Sequence, residues 1–323
     1  MTIPNTMRAA VLTGFGGPEN VAIEERPVPE PRDNEILVRM AATTINSADT
    51  RIRTQSFPKG FKLFASLAFG FTRPRIKVLG VELAGTVVAT GRSVTRFAVG
   101  DEIIAMPGIG THQQFRAIAE TRPIVKKPAD IPLERAAALC FGGTTALQFL
   151  RKAWLQPGER ILVIGATGTV GSAMVQLARH MGAEVIAAAS AANMELARSI
   201  GATHVIDYRQ ADYIGENAAY DVIADTVGAT SLDACFEALK PGGRFLAIAG
   251  GFGDLFKRGR GGKRQISGMA SERADDIALL ARLAQQGVYT PLIDSTFSLS
   301  DIAAAHARAA SGRKRGSVLV MMD

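Results

Sequence analysis

A glycine-rich turn between two apolar runs is the part of the sequence whose residue types are best suited to chemistry. The run Ile161-Leu162-Val163-Ile164 predicts a strand buried on both faces, and apolar residues at helical spacing from Val170 predict a helix after the turn. Glycines leave main-chain N–H groups open to a phosphate, and the start of a helix adds unpaired donors. This context predicts the pyrophosphate site of a dinucleotide; a turn that merely needs glycine is the alternative. The expected contact residues are Ala166, Thr167, Gly168, Thr169, Val170 and Gly171.

The second predicted strand of this unit, residues 184–189, ends without an acidic residue. An NAD-binding unit usually carries Asp or Glu there, about 20 residues after the glycines, to bind the ribose 2′-hydroxyl. Here the chain reads Ala188-Ala189-Ser190-Ala191, and the next acid, Glu195, falls within a predicted helix. Because no carboxylate would repel a 2′-phosphate, the sequence favours NADP as the cofactor. An NAD site with only neutral contacts is the alternative.

Composition and length indicate a two-domain globular protein without a membrane span. The chain has 323 residues, of which 47% are hydrophobic and 21% charged. No apolar segment reaches the roughly 18 residues that a membrane span needs, and the N-terminus lacks a signal-peptide pattern. The two cysteines cannot form a disulfide framework, and Cys140 is expected to be a small buried hydrophobe. We therefore expect a cytoplasmic protein.

The formal net charge of +7 is dispersed except in residues 257–264, where five basic residues alternate with three glycines. This segment could attract the phosphates of a cofactor or another polyanion, or it could be a solvated loop. No aromatic residue is interleaved with these charges, so a nucleic-acid partner is not favoured.

Two regions of the chain differ in their pattern of elements. The first is rich in short strands, which suggests a small barrel, with strands expected at 7–13, 21–25, 35–44, 115–119 and 124–126. From about residue 130, strands at 161–164, 184–189, 204–206, 221–225, 244–249 and 264–268 alternate with helices at 133–139, 145–153, 169–181, 194–200 and 231–239. This alternation predicts an α/β fold with a doubly wound parallel sheet. Two helices, 272–286 and 300–310, and a strand, 317–321, complete the chain.

Four motifs resemble the medium-chain dehydrogenase/reductase superfamily, in its zinc-independent quinone oxidoreductase branch. Ile45-Asn46-Ser47-Ala48-Asp49 is similar to Asn-Pro-x-Asp, and Gly80-Val81-Glu82-Leu83-Ala84-Gly85 to Gly-x-Glu-x-x-Gly. Gly143-Thr144-Thr145-Ala146 is similar to Gly-Leu-Thr-Ala, and the turn 166–171 to Ala-x-Gly-x-Val-Gly. The resemblance implies a Rossmann NADP-binding domain at 130–269. It also implies a GroES-like β-barrel domain built from 1–129 and 270–323, with the active site in the cleft between the two.

The chain departs from the zinc enzymes of that superfamily at the metal ligands. Asn46 and Val81 stand where zinc alcohol dehydrogenases carry Cys and His, and neither is a credible zinc ligand. The four histidines, His112, His180, His204 and His306, have no partner at ligand spacing. We therefore expect no metal. Because zinc would polarise an ordinary carbonyl, its loss favours electrophilic conjugated acceptors.

The resemblance implies hydride transfer from NADPH to a quinone or an α,β-unsaturated carbonyl compound. Asn46, Asp49 and Thr145 match cleft residues and are the candidate catalytic residues. Turn and helix-cap roles are the alternative for Asn46 and Asp49, and a helix-start hydroxyl is the alternative for Thr145. No residue stands out as a general acid or base.

The resemblance also extends the cofactor site beyond the glycine turn. Ser190 and Tyr208 match residues that bind the 2′-phosphate, whereas Asn193 stands where many relatives have Lys, which weakens the case for tight 2′-phosphate binding. The strand ends nearest the nicotinamide would contribute Val227, Gly250 and Gly251.

Two further functions and two structural questions stay open at this stage. The chain could reduce another activated carbonyl or double bond, or be a weakly catalytic nucleotide-binding protein with an RNA or protein partner. The segment 54–74, with five phenylalanines, could line an apolar cleft or form a helix packed on the barrel. The resemblance also implies a homodimer joined at the Rossmann sheet edge, with residues 265–269 as the candidate strand.

Overall fold

The computed structural model describes residues 2–57, 60, 62–210, 213–215, 218–250, 254, 257 and 259–322. Its helices are α1 (Ser47–Thr54), α2 (Lys62–Phe69), α3 (Leu133–Ala136), α4 (Cys140–Ala153), α5 (Thr169–His180), α6 (Met194–Ser199), α7 (Ala274–Gln285) and α8 (Ile302–Ala310). The strands are β1 (Thr6–Leu12), β2 (Val21–Pro27), β3 (Glu35–Ile45), β4 (Leu83–Thr90), β5 (Glu102–Ala105), β6 (Phe115–Ala119), β7 (Ile124–Lys126), β8 (Arg160–Ile164), β9 (Glu184–Ala189), β10 (His204–Asp207), β11 (Tyr220–Asp225), β12 (Leu239–Ala247), β13 (Gly259–Arg260), β14 (Lys263–Ser267), β15 (Ile293–Ser298) and β16 (Ser317–Met321).

The middle of the chain forms a sheet in the order β10-β9-β8-β11-β12-β14-β13, and all its pairings are parallel except β13 with β14. Successive side chains of a strand point to opposite faces, and β8 shows this clearly. Ile161 and Val163 belong to the large core cluster that includes α4 and α5, whereas Leu162 and Ile164 belong to the cluster on the other face. Both faces of the sheet are therefore covered, which confirms the predicted doubly wound α/β architecture.

A second seven-stranded sheet unites the two ends of the chain. Its order is β15-β16-β3-β4-β5-β7. Strand β6 pairs with the first residues of β3, from Glu35 to Arg39. The final strand β16 runs antiparallel to β3, with Val318 opposite Ile45 and Met321 opposite Ala42. This is the GroES-like part of the fold. The sequence pattern missed β15, which pairs in parallel with β16 at the edge of the sheet.

The predicted helix at 231–239 is wrong. The amide of Cys235 donates to the oxygen of Ser231, four residues earlier, at 3.0 Å, but the amide of Phe236 donates to the oxygen of Asp233, three residues earlier, at 3.4 Å. The segment therefore forms successive turns and lacks the consecutive four-residue hydrogen bonds of an α-helix. Leu239 already pairs with Tyr220 as the first residue of β12, so the end of the segment is drawn into extended structure. The apolar spacing of this segment reflects burial of Cys235 in the core, not a helix.

Helix α4 begins earlier than predicted, and the predicted helix at 133–139 shrinks to α3. The pair Gly142 and Gly143 lies inside α4, where glycine normally weakens a helix. A Cβ on Gly142 would lie 2.5 Å from the carbonyl oxygen of Thr169, and one on Gly143 would lie 2.8 Å from Leu280. The two glycines thus allow α4 to pack closely against the start of α5 and against α7.

The phenylalanine-rich segment contains helix α2, as one of the two alternatives proposed. The rings of Phe57 and Phe69 stack at 5.8 Å and partly bury each other beside the barrel core. Phe64 and Phe71 are more than half exposed. Phe61 lies outside the described residues.

In the basic segment, Lys257, Arg260 and Lys263 each have a partner within the protein. Lys257 lies 3.2 Å from Asp254, and Arg260 lies 3.3 Å from Asp233. Arg260 and Lys263 also lie over the ring of Phe236, a contact that the sequence alone did not suggest. In the part of the chain that the structure describes, no helix is long and apolar enough to cross a membrane.

Candidate active site

The glycine turn joins β8 to α5 and leaves the first amides of the helix open. Gly165 has a φ of +77°, which favours glycine, and Gly168 caps the helix with an extended backbone and no side-chain cap. A Cβ on Gly171 would lie 2.1 Å from the carbonyl oxygen of Gly165, so this glycine lets the helix approach the turn. The Thr169 amide faces the Gly316 oxygen in a short parallel bridge, whereas within the described residues the amides of Val170 and Gly171 donate no backbone hydrogen bond. The turn therefore offers two unpaired donors, as a phosphate-binding helix start requires.

A second segment of the chain, just before β16, reaches this turn. The amide of Gly316 donates to the Thr167 oxygen at 2.8 Å, and Thr169 Oγ1 donates to the Gly316 oxygen at 2.8 Å. The ammonium group of Lys314 donates to Thr169 Oγ1 at 2.6 Å and to the Gly316 oxygen at 2.7 Å. The pKa of Lys314 is lowered to about 8, mainly by burial, with a smaller contribution from the Arg308 cation and against the attraction of Asp294. A cation and the two open amides of Val170 and Gly171 thus lie at one turn.

Sequence reasoning missed Lys314, because 145 positions separate it from Thr169. The only available signal was a run of basic residues before a final buried strand, and such a run is equally typical of a solvated turn.

The residues expected at the 2′-phosphate lie together at the ends of β9 and β10. Ser190 follows β9 and is 8% exposed, and the amide of Tyr208 donates to the Ala189 oxygen at 3.3 Å. The side-chain Nδ2 of Asn193 donates to Thr167 Oγ1 at 3.4 Å. The side-chain Oδ1 of Asn193 is buried and has no hydrogen-bond partner among the described residues. The structure therefore brings Ser190, Asn193 and Tyr208 to one edge of the sheet, beside the glycine turn.

Val227 stands at the end of β11, where a buried carboxylate shapes the turn. Asp225 Oδ1 accepts from the amides of Val227 at 2.9 Å and Gly228 at 2.8 Å, and Oδ2 accepts from Thr230 at 2.8 Å. This leaves the Val227 side chain 58% exposed beside the turn, where a Cβ on Gly165 would lie 2.6 Å from it. This role of Asp225 was not predicted from the sequence, although an acidic residue at the end of an apolar run often accepts hydrogen bonds from the amides of the following turn.

Gly250 follows β12 closely, and a Cβ there would lie 3.0 Å from a carboxylate oxygen of Asp254. Gly251, the other glycine expected near the nicotinamide, lies outside the described residues.

Asn46 and Asp49 form a capping box at the start of α1. Asn46 Oδ1 accepts from the amides of Ala48 at 2.8 Å and Asp49 at 3.4 Å, and Asp49 Oδ2 accepts from the Asn46 amide at 2.9 Å. The other carboxylate oxygen of Asp49 accepts from the Gly80 amide at 2.7 Å. Both side chains are buried, and burial raises the pKa of Asp49. This geometry supports the helix-cap alternative, but it leaves Nδ2 of Asn46 without a partner among the described residues.

Thr145 lies on α4, one turn from the contact between Gly142 and Thr169. Its hydroxyl donates to the Phe141 carbonyl at 2.7 Å, within the helix. The side chain is partly buried. The hydroxyl oxygen keeps lone pairs for a further donor, so the arrangement is compatible with both roles considered for this residue.

Glu82 connects the barrel sheet to α4. Its carboxylate accepts from Thr44 Oγ1 and, at 2.6 Å, from the amide of Phe141. Burial raises the pKa of Glu82 to about 7, although these hydrogen bonds oppose the shift. Burial also raises the pKa of the neighbouring Cys140 thiol well above its usual value. Cys140 is therefore an unreactive buried group.

Two histidines that looked isolated in the sequence lie side by side in the structure. The rings of His112 and His306 are 5.5 Å apart, edge to face, and both residues are fully buried. Nε2 of His112 lies 3.1 Å from the Thr44 carbonyl oxygen. Within the described ranges, no group of three or more His, Cys, Asp or Glu residues is arranged to hold a metal.

Comparison with known proteins places this chain in one superfamily. The profile of the alcohol dehydrogenase GroES-like domain matches residues 32–129, and the profile named zinc-binding dehydrogenase matches residues 200–320. A 2-haloacrylate reductase of Burkholderia sp is 30% identical over 338 residues, which cover 97% of this chain and 98% of that protein. The chloroplastic NADPH-dependent alkenal/one oxidoreductase of Arabidopsis thaliana is 30% identical over 260 residues, which cover 77% of this chain and 64% of that protein.

Among solved structures, the quinone oxidoreductase from Coxiella burnetii superposes with a TM-score of 0.86 at 24% identity, covering 98% of this chain and 100% of that one. A structural match at 24% sequence identity establishes only the fold. The sequence relatives at 30% identity establish the family. The chain therefore belongs to the medium-chain dehydrogenase/reductase superfamily, in its quinone oxidoreductase and alkenal reductase-like branch.

Proposed function

We propose that this protein is a zinc-independent oxidoreductase that uses NADPH to reduce a quinone or an α,β-unsaturated carbonyl compound. The observation that carries the proposal is the donor set at the glycine turn. The unpaired amides of Val170 and Gly171 and the ammonium group of Lys314 lie close to Thr169 and together suit the two negative charges of a pyrophosphate. A phosphate bound at this turn would also neutralise the positive charge of Lys314.

The preference for NADPH over NADH rests on the end of β9. Ser190 occupies the position where an acid would hold a ribose 2′-hydroxyl, and its hydroxyl can donate to a 2′-phosphate instead. We assign Asn193 and Tyr208 to the same phosphate, because both lie at this edge of the sheet. Their neutral groups would bind it less tightly than a lysine.

We assign the nicotinamide half of the site to Val227, Gly250 and Gly251, together with Asn46, Asp49 and Thr145. Bound NADPH would supply the hydride. The unpaired Nδ2 of Asn46 is available to donate to a carbonyl oxygen, and Asp49 holds the Asn46 backbone and Gly80 in place. We therefore give Asn46 a contact role and Asp49 a positioning role.

The acceptor class follows from the residues at the zinc-ligand positions and from the names of relatives. Asn46 and Val81 cannot polarise an unactivated carbonyl as a zinc ion would. Conjugated acceptors need less activation, and two relatives are named as reductases of alkenals or enones and of 2-haloacrylate. A reductase of another activated double bond stays the second candidate because of the haloacrylate relative. The homodimer and the cytoplasmic location also stay proposals, and gel filtration with light scattering would test the dimer.

A charge introduced at Ser190 tests the cofactor assignment. The variant Ser190→Asp should weaken NADPH binding roughly tenfold or more, because the carboxylate would repel the 2′-phosphate, and should not weaken NADH binding, because the carboxylate can accept from the ribose 2′-hydroxyl. Ser199→Asp places the same charge on exposed α6 and serves as the matched control. Fluorescence titration with both cofactors measures the affinities. Equal losses for NADH and NADPH in Ser190→Asp would contradict the assignment.

Turnover tests the reaction. We would follow the absorbance of NADPH with a small quinone and a panel of enones. Oxidation of NADPH by at least one conjugated acceptor supports the proposal. No oxidation with any acceptor, together with salt-sensitive retention of RNA, would favour a nucleotide-binding protein with an RNA partner instead.

A further inference from the structure

A cavity of about 500 Å³ lies where the start of β1, the end of β2 and strand β6 meet. Its apolar wall includes Met7, Pro27 and Pro29, and its polar lining comes from Arg26, Gln113 and Arg116. None of the described residues that line it is acidic. The cavity lies between the two-stranded β1-β2 sheet and strand β6 of the GroES-like sheet, whereas the glycine turn follows β8 of the parallel sheet. It is therefore distinct from the proposed cofactor site.

Arg116 carries a largely buried positive charge that the protein does not neutralise. Its Nε is buried without a hydrogen-bond partner, and the described residues provide no ion pair to its guanidinium. Burial and the neighbouring Arg122 cation lower the pKa of Arg116 to about 10, so the group stays charged at neutral pH. A buried charge without a partner is unfavourable, and proteins usually compensate it with an opposite charge. The described residues do not supply that charge, and a bound anion would.

The neighbouring loop is shaped to hold this guanidinium. Gly110 has a φ of +118°, and a Cβ there would lie 2.0 Å from Nη1 of Arg116. Any other residue at 110 would therefore displace the guanidinium. The amide of Gly110 also donates to the Gly80 oxygen at 2.8 Å, which fixes the loop against the barrel. The Arg116 guanidinium thus packs closely against this loop, and the Arg116 side chain also lines the cavity.

The second arginine of the cavity is only loosely engaged. Arg26 lies 3.7 Å from Glu24, and the two side chains are 35% and 44% exposed. An exposed pair at this distance contributes little and is easily exchanged for another partner. Two guanidinium groups are therefore available at one cavity.

We propose that this cavity binds a small organic carboxylate. The carboxylate pairs with Arg116 and Arg26, since the planar guanidinium fork matches its two oxygens. The apolar body of the ligand lies against Met7 and the two prolines. A volume of this order and a mostly apolar wall with few polar groups are typical of small-molecule sites.

Benzoate is the probe for this proposal, and the full-length protein is the sample. The side-chain Nε–H resonance of Arg116, assigned by its loss in Arg116→Met, should shift and saturate as benzoate is added. Arg116→Met and Arg26→Met should each weaken benzoate binding roughly tenfold, as loss of a charged hydrogen bond does. Arg92→Met is the matched control, because Arg92 is exposed and pairs with Asp33. Benzoate binding should be unchanged in this control.

Three outcomes would overturn the proposal. Benzoate could fail to shift the Arg116 resonance, or it could bind equally well to the wild type and to both cavity variants. Inorganic phosphate could bind as tightly as benzoate, which would show that the apolar wall plays no part in recognition. If Arg116→Met does not fold, Arg26→Met still decides the result, because Arg26 is partly exposed and contributes little to the core.

Discussion

At the scale of single residues, the most informative side chain is Lys314. It stands at the positive end of α5, where a cation is normally unfavourable, and it is held there by Thr169 and Gly316. Such an arrangement becomes favourable once an anion lies between the amine and the helix. The proposed pyrophosphate supplies that anion, which links the charge state of one lysine to cofactor affinity.

This link predicts a pH-dependent affinity. The pKa of Lys314 is about 8 in the free protein, and a bound anion stabilises the protonated amine. The affinity for NADH and NADPH should therefore fall as the pH rises through about 8, and Lys314→Met should bind more weakly with a flatter profile. Calorimetric titration across this range measures both effects, with Lys126→Met, a surface lysine paired with Asp101, as the control. Parallel profiles for the wild type and Lys314→Met would rule out this role.

At the scale of elements, the geometry of the site depends on how closely α5 approaches the end of β8. Two glycines of the same turn differ sharply in this respect. A Cβ on Gly171 would lie 2.1 Å from the Gly165 carbonyl oxygen, whereas one on Gly168 would lie 3.4 Å from that atom. Gly171 is thus needed for packing, whereas a methyl group at Gly168 would fit without a clash.

The two glycines predict opposite phenotypes. Gly171→Ala should lower the free energy of unfolding by about 1–3 kcal/mol, because the helix must move away from the turn. Gly168→Ala should leave that free energy nearly unchanged but weaken cofactor binding, since its methyl group would lie where the phosphate approaches. Urea unfolding and cofactor titration of both variants distinguish the two effects. Equal stability losses in the two variants would refute this division of roles.

Much of this element-level organisation could be predicted from the sequence. The run 161–164, the turn after it and the strand 184–189 all have local signals, and the structure contains β8, α5 and β9 as expected. The true start of α4 could not be predicted, because Gly142 and Gly143 look like helix breakers until their contacts with Thr169 and Leu280 are known. Strand β15 was missed because its pairing with β16 is a tertiary feature. Lys314 was missed for the same reason, because its contact with Thr169 joins residues 145 positions apart in the sequence.

At the scale of the whole molecule, the two sheets are joined directly at the candidate site. Gly168 and Gly316 form an isolated parallel bridge between the glycine turn and the segment before β16. Through β16 this segment connects to β3, whose end leads to Asn46. The glycine turn and the start of α1, with Asn46 and Asp49, are therefore connected by one continuous set of backbone contacts.

The buried histidine pair should influence the stability of the whole molecule at low pH. Burial, with the nearby His112 and Arg53, lowers the pKa of His306 to about 2. Below the ordinary pKa of about 6.5 the unfolded chain binds a proton that the native state cannot, so stability falls as the pH decreases. Between pH 7 and 5 this group should cost about 2 kcal/mol.

Urea unfolding at the two pH values measures that loss. His306→Gln should lose less stability than the wild type by this amount, whereas His204→Gln, at an exposed position, should behave like the wild type. An identical pH dependence of stability in the wild type and His306→Gln would show that His306 does not cause the loss of stability at low pH.

Reduction of a simple enone with NADPH that carries deuterium at the transferable C4 position tests the central claim most directly. The account predicts a saturated ketone with one deuterium at the β carbon, formed equally well after prolonged dialysis against a metal chelator. A product without deuterium, or activity that chelation abolishes and zinc restores, would contradict it.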